Sequence, residues 1–212
     1  MKKVIRLWRN STYLRFLVSG LFLLIVALFF NYRATEFAAR HASLPVEDII
    51  LDNIPIVDMR YLIVEGALFL IACVIFLIIV KPQRAPFVLK ATALFIIVRA
   101  FFLILTHLAP YPGQLDAGAD SWVTYLGIGF PAALFFSGHT GLPYVLALVF
   151  WNIRPARFFF LFSSIVMGVT VLLAHVHYSI DVFAAFFIGY SIFHLARVLF
   201  AVDYRLFEEG RI

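Results

Sequence analysis

Two histidines and an aspartate have the types and spacing that a nucleophilic site needs. His177 and Asp181 lie four residues apart, so on a helical turn they share one face. A carboxylate there can accept a proton from one imidazole nitrogen and orient the other, which is the arrangement of base and orienting acid in catalytic triads. His139 lies earlier, in the segment FSGHT at 136–140.

The segment SGHT at 137–140 is predicted to begin a helix. Free backbone N–H groups at a helix N-terminus bind anions, and phosphate above all. Ser137 is suited to cap the helix, and Gly138 allows a close approach of the backbone. Arg99 adds a planar cationic fork that suits phosphate oxygens. The sequence has no nucleotide-binding glycine loop and no carboxylate cage for Mg²⁺. We therefore expect phosphoryl transfer by a histidine nucleophile, without a metal or a cofactor.

The composition indicates the class of protein that must position these residues. Apolar residues make up 64% of the 212 residues and charged residues 14%, and the mean hydropathy is +0.99. An ordinary soluble domain has about 45–50% apolar residues and about 25% charged residues. These values exclude a soluble enzyme and a disordered chain. The net charge of +5 does not indicate nucleic acid, because Lys and Arg lie at the expected membrane edges. We predict a single all-α integral membrane domain over 1–212.

The gaps between charged residues predict a bundle of six transmembrane helices. A spanning helix needs about 20 mostly apolar residues. The predicted spans are 13–32, 61–80, 88–108, 138–153, 158–177 and 180–200. The excess of Lys and Arg on one side places both termini in the cytoplasm. The longest loop, 33–60, then lies on the other side, with its acidic stretch 46–55 folded over the outer face. Alternatively, 1–31 reads as a signal peptide, whose removal would leave five spans.

Ionisable groups inside spans are costly and indicate function. In this topology all of them lie near the outer ends of their helices; they are Glu65, Arg99, His139, His175, His177 and Asp181. Glu65 is expected either to pair with Arg99 or to contact a head group, and His175 to support His177. Outer-side residues that suit a cationic head group are Asp116, Asp120, Trp122 and Tyr125. The short loops favour a bacterial plasma membrane.

Three segments resemble a known family. SGHT at 137–140 and HYSIDV at 177–182 resemble the second and third motifs of the type-2 phosphatidic acid phosphatase (PAP2) superfamily, and most of all its sphingomyelin synthase branch. Arg99, followed seven positions later by Thr106, resembles a further segment of that branch. The resemblance covers about 88–200. The chain departs from the branch at 131–133, where Pro-Ala-Ala stands in place of Cys-Gly-Asp.

The resemblance implies a role for each matching residue. His177 would be the nucleophile that forms a phosphohistidine, Asp181 would orient it, and His139 would protonate the leaving alcohol. Phosphate-binding positions would be Arg99, Ser137, Gly138, Thr140 and Tyr178. The implied substrate is a membrane phospholipid or lipid phosphate, with the site on the non-cytoplasmic side. Water as the acceptor would give a hydrolase, and a diacylglycerol or ceramide hydroxyl would give a transferase.

Two other functions remain open from the sequence. One is a catalytically inactive relative that binds lipid phosphate without turning it over. The other is an intramembrane serine protease that uses Ser137, Gly138 and His177, although Phe135 stands where such a motif has its first glycine.

Overall fold

The computed structural model describes residues 7–114 and 134–210. The described chain folds into α-helices joined by turns and loops, so the predicted all-α class is confirmed for these residues. The helices are α1 (Ser11–Arg40), α2 (Arg60–Val80), α3 (Ala85–Leu105), α4 (Gly138–Val149), α5 (Arg154–Leu173), α6 (Ser179–Leu199) and α7 (Ala201–Glu209). Two short 3-10 turns lie at Leu51–Asn53 and Pro82–Arg84.

Within the described ranges, five helices are long and apolar enough to cross a membrane: α1, α2, α3 with its preceding turn, α5 and α6. Large apolar side chains point away from the bundle, among them Phe22, Ile25, Phe162 and Phe187. A surface of this kind fits lipid rather than water. The helices therefore support an integral membrane protein.

The predicted fourth span, 138–153, is shorter in the structure. Helix α4 has 12 residues, which is about 18 Å at 1.5 Å per residue. The hydrocarbon core of a bilayer is about 30 Å thick. The count of six spans and the cytoplasmic position of both termini stay predictions.

Helix α1 is longer than the sequence predicted, because it continues through Arg40. The predicted loop 33–60 is therefore wrong over 33–40, and the loop is residues 41–59. The reason is local. Glu36 forms ion pairs with Arg33 and with Arg40, at the three- and four-residue spacings that stabilise a helix.

Helix α5 begins and ends four residues earlier than the predicted 158–177. Pro155 lies in its first turn, where a proline needs no hydrogen-bond donor. As a consequence His177 does not end α5, as predicted, but lies in the turn between α5 and α6. Helix α3 is also displaced toward the N-terminus, at Ala85–Leu105 rather than 88–108.

Helix α4 packs between α3, α5 and α6 at very close range. A Cβ atom added to Gly141 would lie 2.8 Å from Cε2 of Phe95 and 3.3 Å from Cβ of Ala185. The Ser164 hydroxyl of α5 donates a hydrogen bond to the backbone oxygen of Thr140, at 2.7 Å. These contacts fix the N-terminal turn of α4 relative to its neighbours.

A buried ion pair holds the C-terminal helix α7 to α3, at the end of the bundle away from His139 and His177. Nζ of Lys90 lies 2.7 and 2.8 Å from the two carboxylate oxygens of Asp203. The rings of Phe16 and Phe200 lie 5.3 and 5.6 Å from the same nitrogen. Charges so deeply buried are tolerated when they are paired.

Candidate active site

The turn between α5 and α6 carries His177 and has a defined geometry. The Val176 amide donates to the Val171 oxygen, and the His175 amide donates to the Leu172 oxygen. This pair of bonds is the Schellman motif that ends many helices. His175 has φ of +55°, the left-handed conformation that glycine usually supplies at this position. The motif reverses the chain and directs it into α6.

His177 and Asp181 are in contact, but not in the way that the sequence predicted. Nδ1 of His177 lies 3.3 Å from Oδ2 of Asp181, and both side chains are buried. His177 lies before α6 and Asp181 in its first turn. The prediction that they share a helical face is therefore wrong, because the turn rather than a helix brings the imidazole to the carboxylate.

Asp181 has a second function in the same turn. Its Oδ2 atom accepts a hydrogen bond from the backbone N–H of Tyr178, at 3.0 Å. This satisfies one of the free N–H groups at the start of α6. The other carboxylate atom, Oδ1, is buried and receives no hydrogen bond from the described residues. The carboxylate is thus fixed in position and turned toward the imidazole.

The SGHT segment begins α4, as predicted. Ser137 caps the helix, since its hydroxyl oxygen accepts from the Thr140 backbone N–H at 3.3 Å and from the Thr140 hydroxyl at 3.2 Å. The Ser137 backbone N–H donates to the Asp181 backbone oxygen at 3.0 Å. This bond joins the two motifs directly. The rings of His139 and His177 are 6.1 Å apart between centroids.

Arg99 reaches the same place from α3. Its Nε atom donates to the backbone oxygen of Phe136 at 2.9 Å, and Nη1 donates to Oδ1 of Asn31 at 3.3 Å. Gly138 lies against it, because a Cβ atom there would be 3.4 Å from Nε. The guanidinium therefore lies beside the N-terminus of α4.

Sequence reasoning missed Asn31. The only signal was an amide side chain directly after the apolar run 21–30 of the first span. Its oxygen helps to hold the Arg99 fork in place, so it belongs with the positioning residues of the site.

The structure places His175 and Tyr178 beside the candidate pair rather than within it. Nε2 of His175 lies 3.1 Å from the backbone oxygen of Leu51. The Tyr178 hydroxyl donates to the Ala109 oxygen at 3.0 Å and accepts from the Val46 N–H at 3.3 Å. Both side chains hold neighbouring loops against the turn. The predicted role of Tyr178 in phosphate binding stays a prediction.

The remaining predicted residues lie apart from this cluster or outside the residues that the structure describes. Glu65 lies on α2 with an exposed side chain, and its predicted roles stay predictions. The candidates Asp116, Asp120, Trp122 and Tyr125 lie outside the described residues, as does the departure at 131–133. Among the described residues, no group of three or more His, Cys, Asp or Glu is arranged to hold a metal ion.

Together these groups form an arrangement suited to phosphoryl transfer. The carboxylate at Nδ1 of His177 leaves Nε2 as the nucleophilic atom. A second imidazole lies close enough to exchange a proton with a reacting group. The Arg99 guanidinium and the amides that begin α4 can hold the oxygens of a phosphate.

Residues 132–198 match the family described as PAP2 superfamily C-terminal. This match supports membership of the PAP2 superfamily. It includes both the SGHT segment and the 177–182 segment. No curated protein and no solved structure matches the chain.

A PAP2 superfamily domain supports an enzyme of the phosphatase or phosphotransferase kind. Together with the long apolar helices, the match supports an integral membrane protein, and it suggests lipid phosphates as the class of substrate. The closer resemblance to the sphingomyelin synthase branch stays a prediction.

Proposed function

We propose that the protein is a membrane-embedded lipid phosphoryl or phospho-head-group transferase or hydrolase that works through His177. The observation that carries this proposal is the buried contact between His177 and Asp181, beside His139 and Arg99. A structural ion pair would need the carboxylate and the imidazole alone. It would not need a second histidine and a guanidinium gathered at a helix N-terminus.

The first chemical step breaks the bond between phosphorus and the leaving oxygen. Nε2 of His177 attacks phosphorus and forms a P–N bond. His139 gives its proton to the leaving alcohol, so the alcohol departs neutral. Asp181 accepts the hydrogen bond from Nδ1 and stabilises the positive charge that develops on the ring. The Arg99 guanidinium and the α4 amides stabilise the negative oxygens in the transition state.

The second step releases the phosphoryl group from His177. The neutral His139 now takes a proton from the acceptor hydroxyl, whose oxygen attacks phosphorus as the P–N bond breaks. Water as the acceptor yields the free phosphate or phospho-head group. A diacylglycerol or ceramide hydroxyl yields a new phospholipid, which is the sphingomyelin synthase-like reaction.

We also propose that the chain crosses the membrane six times with both termini in the cytoplasm. The site then lies at the non-cytoplasmic face, where lipids of that leaflet can enter sideways. The excess of Lys and Arg on one side supports this topology, and His139, Arg99 and the turn carrying His177 lie close together at one end of the bundle. The short loops favour the plasma membrane of a bacterium.

The test uses the full chain purified in detergent, as wild type, His177→Ala and His194→Ala. His194 is a matched control because it lies in α6, close to its C-terminal end, where its ring packs against that of Tyr190 with the ring centroids 4.3 Å apart. Each protein receives micelles of phosphatidic acid, phosphatidylcholine and phosphatidylethanolamine, with diacylglycerol and ceramide as acceptors. Mass spectrometry follows free phosphate, phospho-head groups and new lipids.

We expect product with wild type and His194→Ala and none with His177→Ala. Products derived from water identify a hydrolase, and a new phospholipid identifies a transferase. If no product depends on His177, the proposed enzyme function is wrong, and a relative that binds lipid phosphate without turning it over becomes the favoured alternative.

A further inference from the structure

The loop 41–59 is attached to the turn that carries His177 at several points along its length. Each attachment is a hydrogen bond between a loop residue and residue 173, 175, 178 or 179. The bonds are Val57 N–H to Leu173 O (2.8 Å), His175 Nε2 to Leu51 O (3.1 Å), Val46 N–H to Tyr178 Oη (3.3 Å) and Ser179 N–H to Asp48 Oδ2 (2.6 Å). The loop thus lies along the turn from the end of α5 to the start of α6.

Asp48 is the charged residue among these attachments, and it is buried at 7% exposure. The other carboxylates buried among the described residues are Asp181, which contacts His177, and Asp203, which pairs with Lys90. Asp48 instead accepts hydrogen bonds from N–H groups of its own loop and of Ser179. A buried carboxylate is retained only where such bonds replace water.

The two oxygens of Asp48 connect two separate parts of the chain. Oδ1 accepts from the N–H groups of Ile50 and Leu51, at 2.9 and 3.2 Å, and so fixes the carboxylate to its own loop. Oδ2 accepts from the N–H of Ser179, the first residue of α6. A negative charge at a helix N-terminus is favourable, because the free N–H groups there carry partial positive charge.

This bond acts on the site through the backbone. Ser179 lies two residues after His177 and two before Asp181. The adjacent N–H, that of Tyr178, is held by Asp181 itself. Two carboxylates therefore hold successive N–H groups between the imidazole and its orienting acid, one from within α6 and one from a loop far away in sequence.

We propose that Asp48 is a positioning residue of the active site, which sets the relation between His177 and Asp181 by anchoring the first turn of α6. The inference rests on the proposed function for its catalytic consequence. Loss of the anchor lets the turn shift relative to α4. A displacement of about 1 Å at the reacting atoms can lower a rate on the order of 100-fold.

The test compares Asp48→Asn, Asp48→Ala and Glu47→Gln in the full chain. Glu47 is the matched control, because it is the adjacent carboxylate and its side chain is exposed. Asn keeps one acceptor oxygen and loses the charge, whereas Ala loses both acceptors. Thermal unfolding in detergent identifies any variant that fails to fold.

The first readout is the single-turnover rate constant with enzyme in excess, using the lipid of the panel that wild type turns over through His177. A positioning role lowers this rate constant, by about tenfold or more in Asp48→Asn and further in Asp48→Ala, with KM little changed. A merely structural role reduces the folded fraction and leaves the rate constant of the folded enzyme unchanged. Glu47→Gln matches wild type.

The second readout is amide hydrogen exchange over 174–182, which does not depend on any substrate. Faster exchange confined to this segment in Asp48→Asn, and absent in Glu47→Gln, supports the anchor. If wild type shows no turnover that depends on His177, the proposed function fails, and the exchange result alone decides on the anchor. Unchanged exchange, or an unchanged rate constant in a folded Asp48→Asn protein, overturns the inference.

Discussion

Nδ1 of His177 lies 3.3 Å from Oδ2 of Asp181, although the backbone of His177 is not helical. The contact depends on the turn after α5, on the first turn of α6, and on the bonds that hold these two segments together. The orientation of the His177 imidazole is thus a property of the tertiary structure. Substitutions that change a single contact should reveal how the geometry is maintained.

Asp181→Asn should abolish most of the turnover while the protein stays folded. The amide keeps the shape of the carboxylate, but it carries no charge to stabilise the imidazolium that forms in the transition state. We expect a loss of kcat on the order of 100-fold to 10,000-fold, the usual contribution of such a group. The measurement is steady-state turnover. Asp58→Asn, at an exposed carboxylate paired with Arg60, should match wild type, and near-normal turnover of Asp181→Asn would contradict the mechanism.

Arg99→Lys should weaken catalysis although it keeps the positive charge. An ammonium group cannot donate to Phe136 and Asn31 while it also presents a planar pair of donors to phosphate. We expect kcat/KM to fall about 100-fold, and to fall about tenfold in Asn31→Ala, since a bond to a charged group is worth about 1.5 kcal/mol or more. Arg33→Lys, in the exposed ion pair with Glu36, is the control. Equal activities of wild type and Arg99→Lys would mean that the Arg99 guanidinium does not contribute to the activity of the site.

Gly141→Ala should destabilise the bundle, because its methyl group would lie 2.8 Å from the Phe95 ring. Such overpacking costs about 1–3 kcal/mol. Gly66→Ala is a matched helical control, since the atom nearest to its new methyl group is Sδ of Met167 at 3.4 Å, an ordinary contact. The measurement is the midpoint of thermal unfolding in detergent. A lower midpoint for Gly141→Ala alone is the expected result, and equal midpoints would mean that α4 packs less tightly than the structure shows.

The sequence predicted those features that depend on composition and local pattern. Long apolar gaps between charges located the helices, and the cap at Ser137 followed from the residue types. The ends of helices were harder to predict. Arg33, Glu36 and Arg40 are typical loop residues by type, and only the structure shows the ion pairs between them that extend α1. The turn at His175 was missed for a related reason. A left-handed residue that is not glycine leaves no signal in one sequence.

The supporting residues could not be predicted, for a different physical reason. Asn31 meets Arg99 across 68 positions of chain, and Asp48 meets Ser179 across 131. Their function depends on which helices are neighbours, and apolar spans of similar composition do not specify this. The candidate catalytic residues were predicted because their types and spacing are unusual inside a membrane, whereas a loop aspartate is ordinary until its partner is known.

Lys90→Met should destabilise the protein much more than the double substitution Lys90→Met with Asp203→Leu. The single change leaves a buried carboxylate without its cation, which costs about 3–5 kcal/mol. The double change replaces the pair by apolar groups of similar size and is often close to neutral. The exposed pair of Arg33 and Glu36 serves as the control, and its removal should cost less than about 1 kcal/mol. Thermal midpoints in this order support a buried ion pair between α3 and α7, and equal midpoints for the single and double variants contradict it.

Acidification should release the anchor at Asp48 before the bundle unfolds. Burial raises the pKa of the Asp48 carboxyl, but the bonds from Ser179, Leu51 and Ile50 lower it by more, so the net pKa lies below its ordinary value. A group whose pKa is lowered on folding stabilises the folded state fully above its ordinary pKa, and this stabilisation is lost as the pH falls through the lowered pKa.

Amide exchange at 174–182 in wild type should therefore be slow and constant from pH 7 down to about 4, the ordinary pKa of an aspartate. It should rise below that pH once the intrinsic dependence of exchange on pH is removed. Asp48→Asn should exchange faster at pH 7 and show a smaller rise on acidification than wild type, because its amide has no proton to gain whereas Asp181 still holds the Tyr178 N–H. A wild-type segment whose corrected exchange is independent of pH down to pH 2 would mean that the charge of Asp48 does not hold α6.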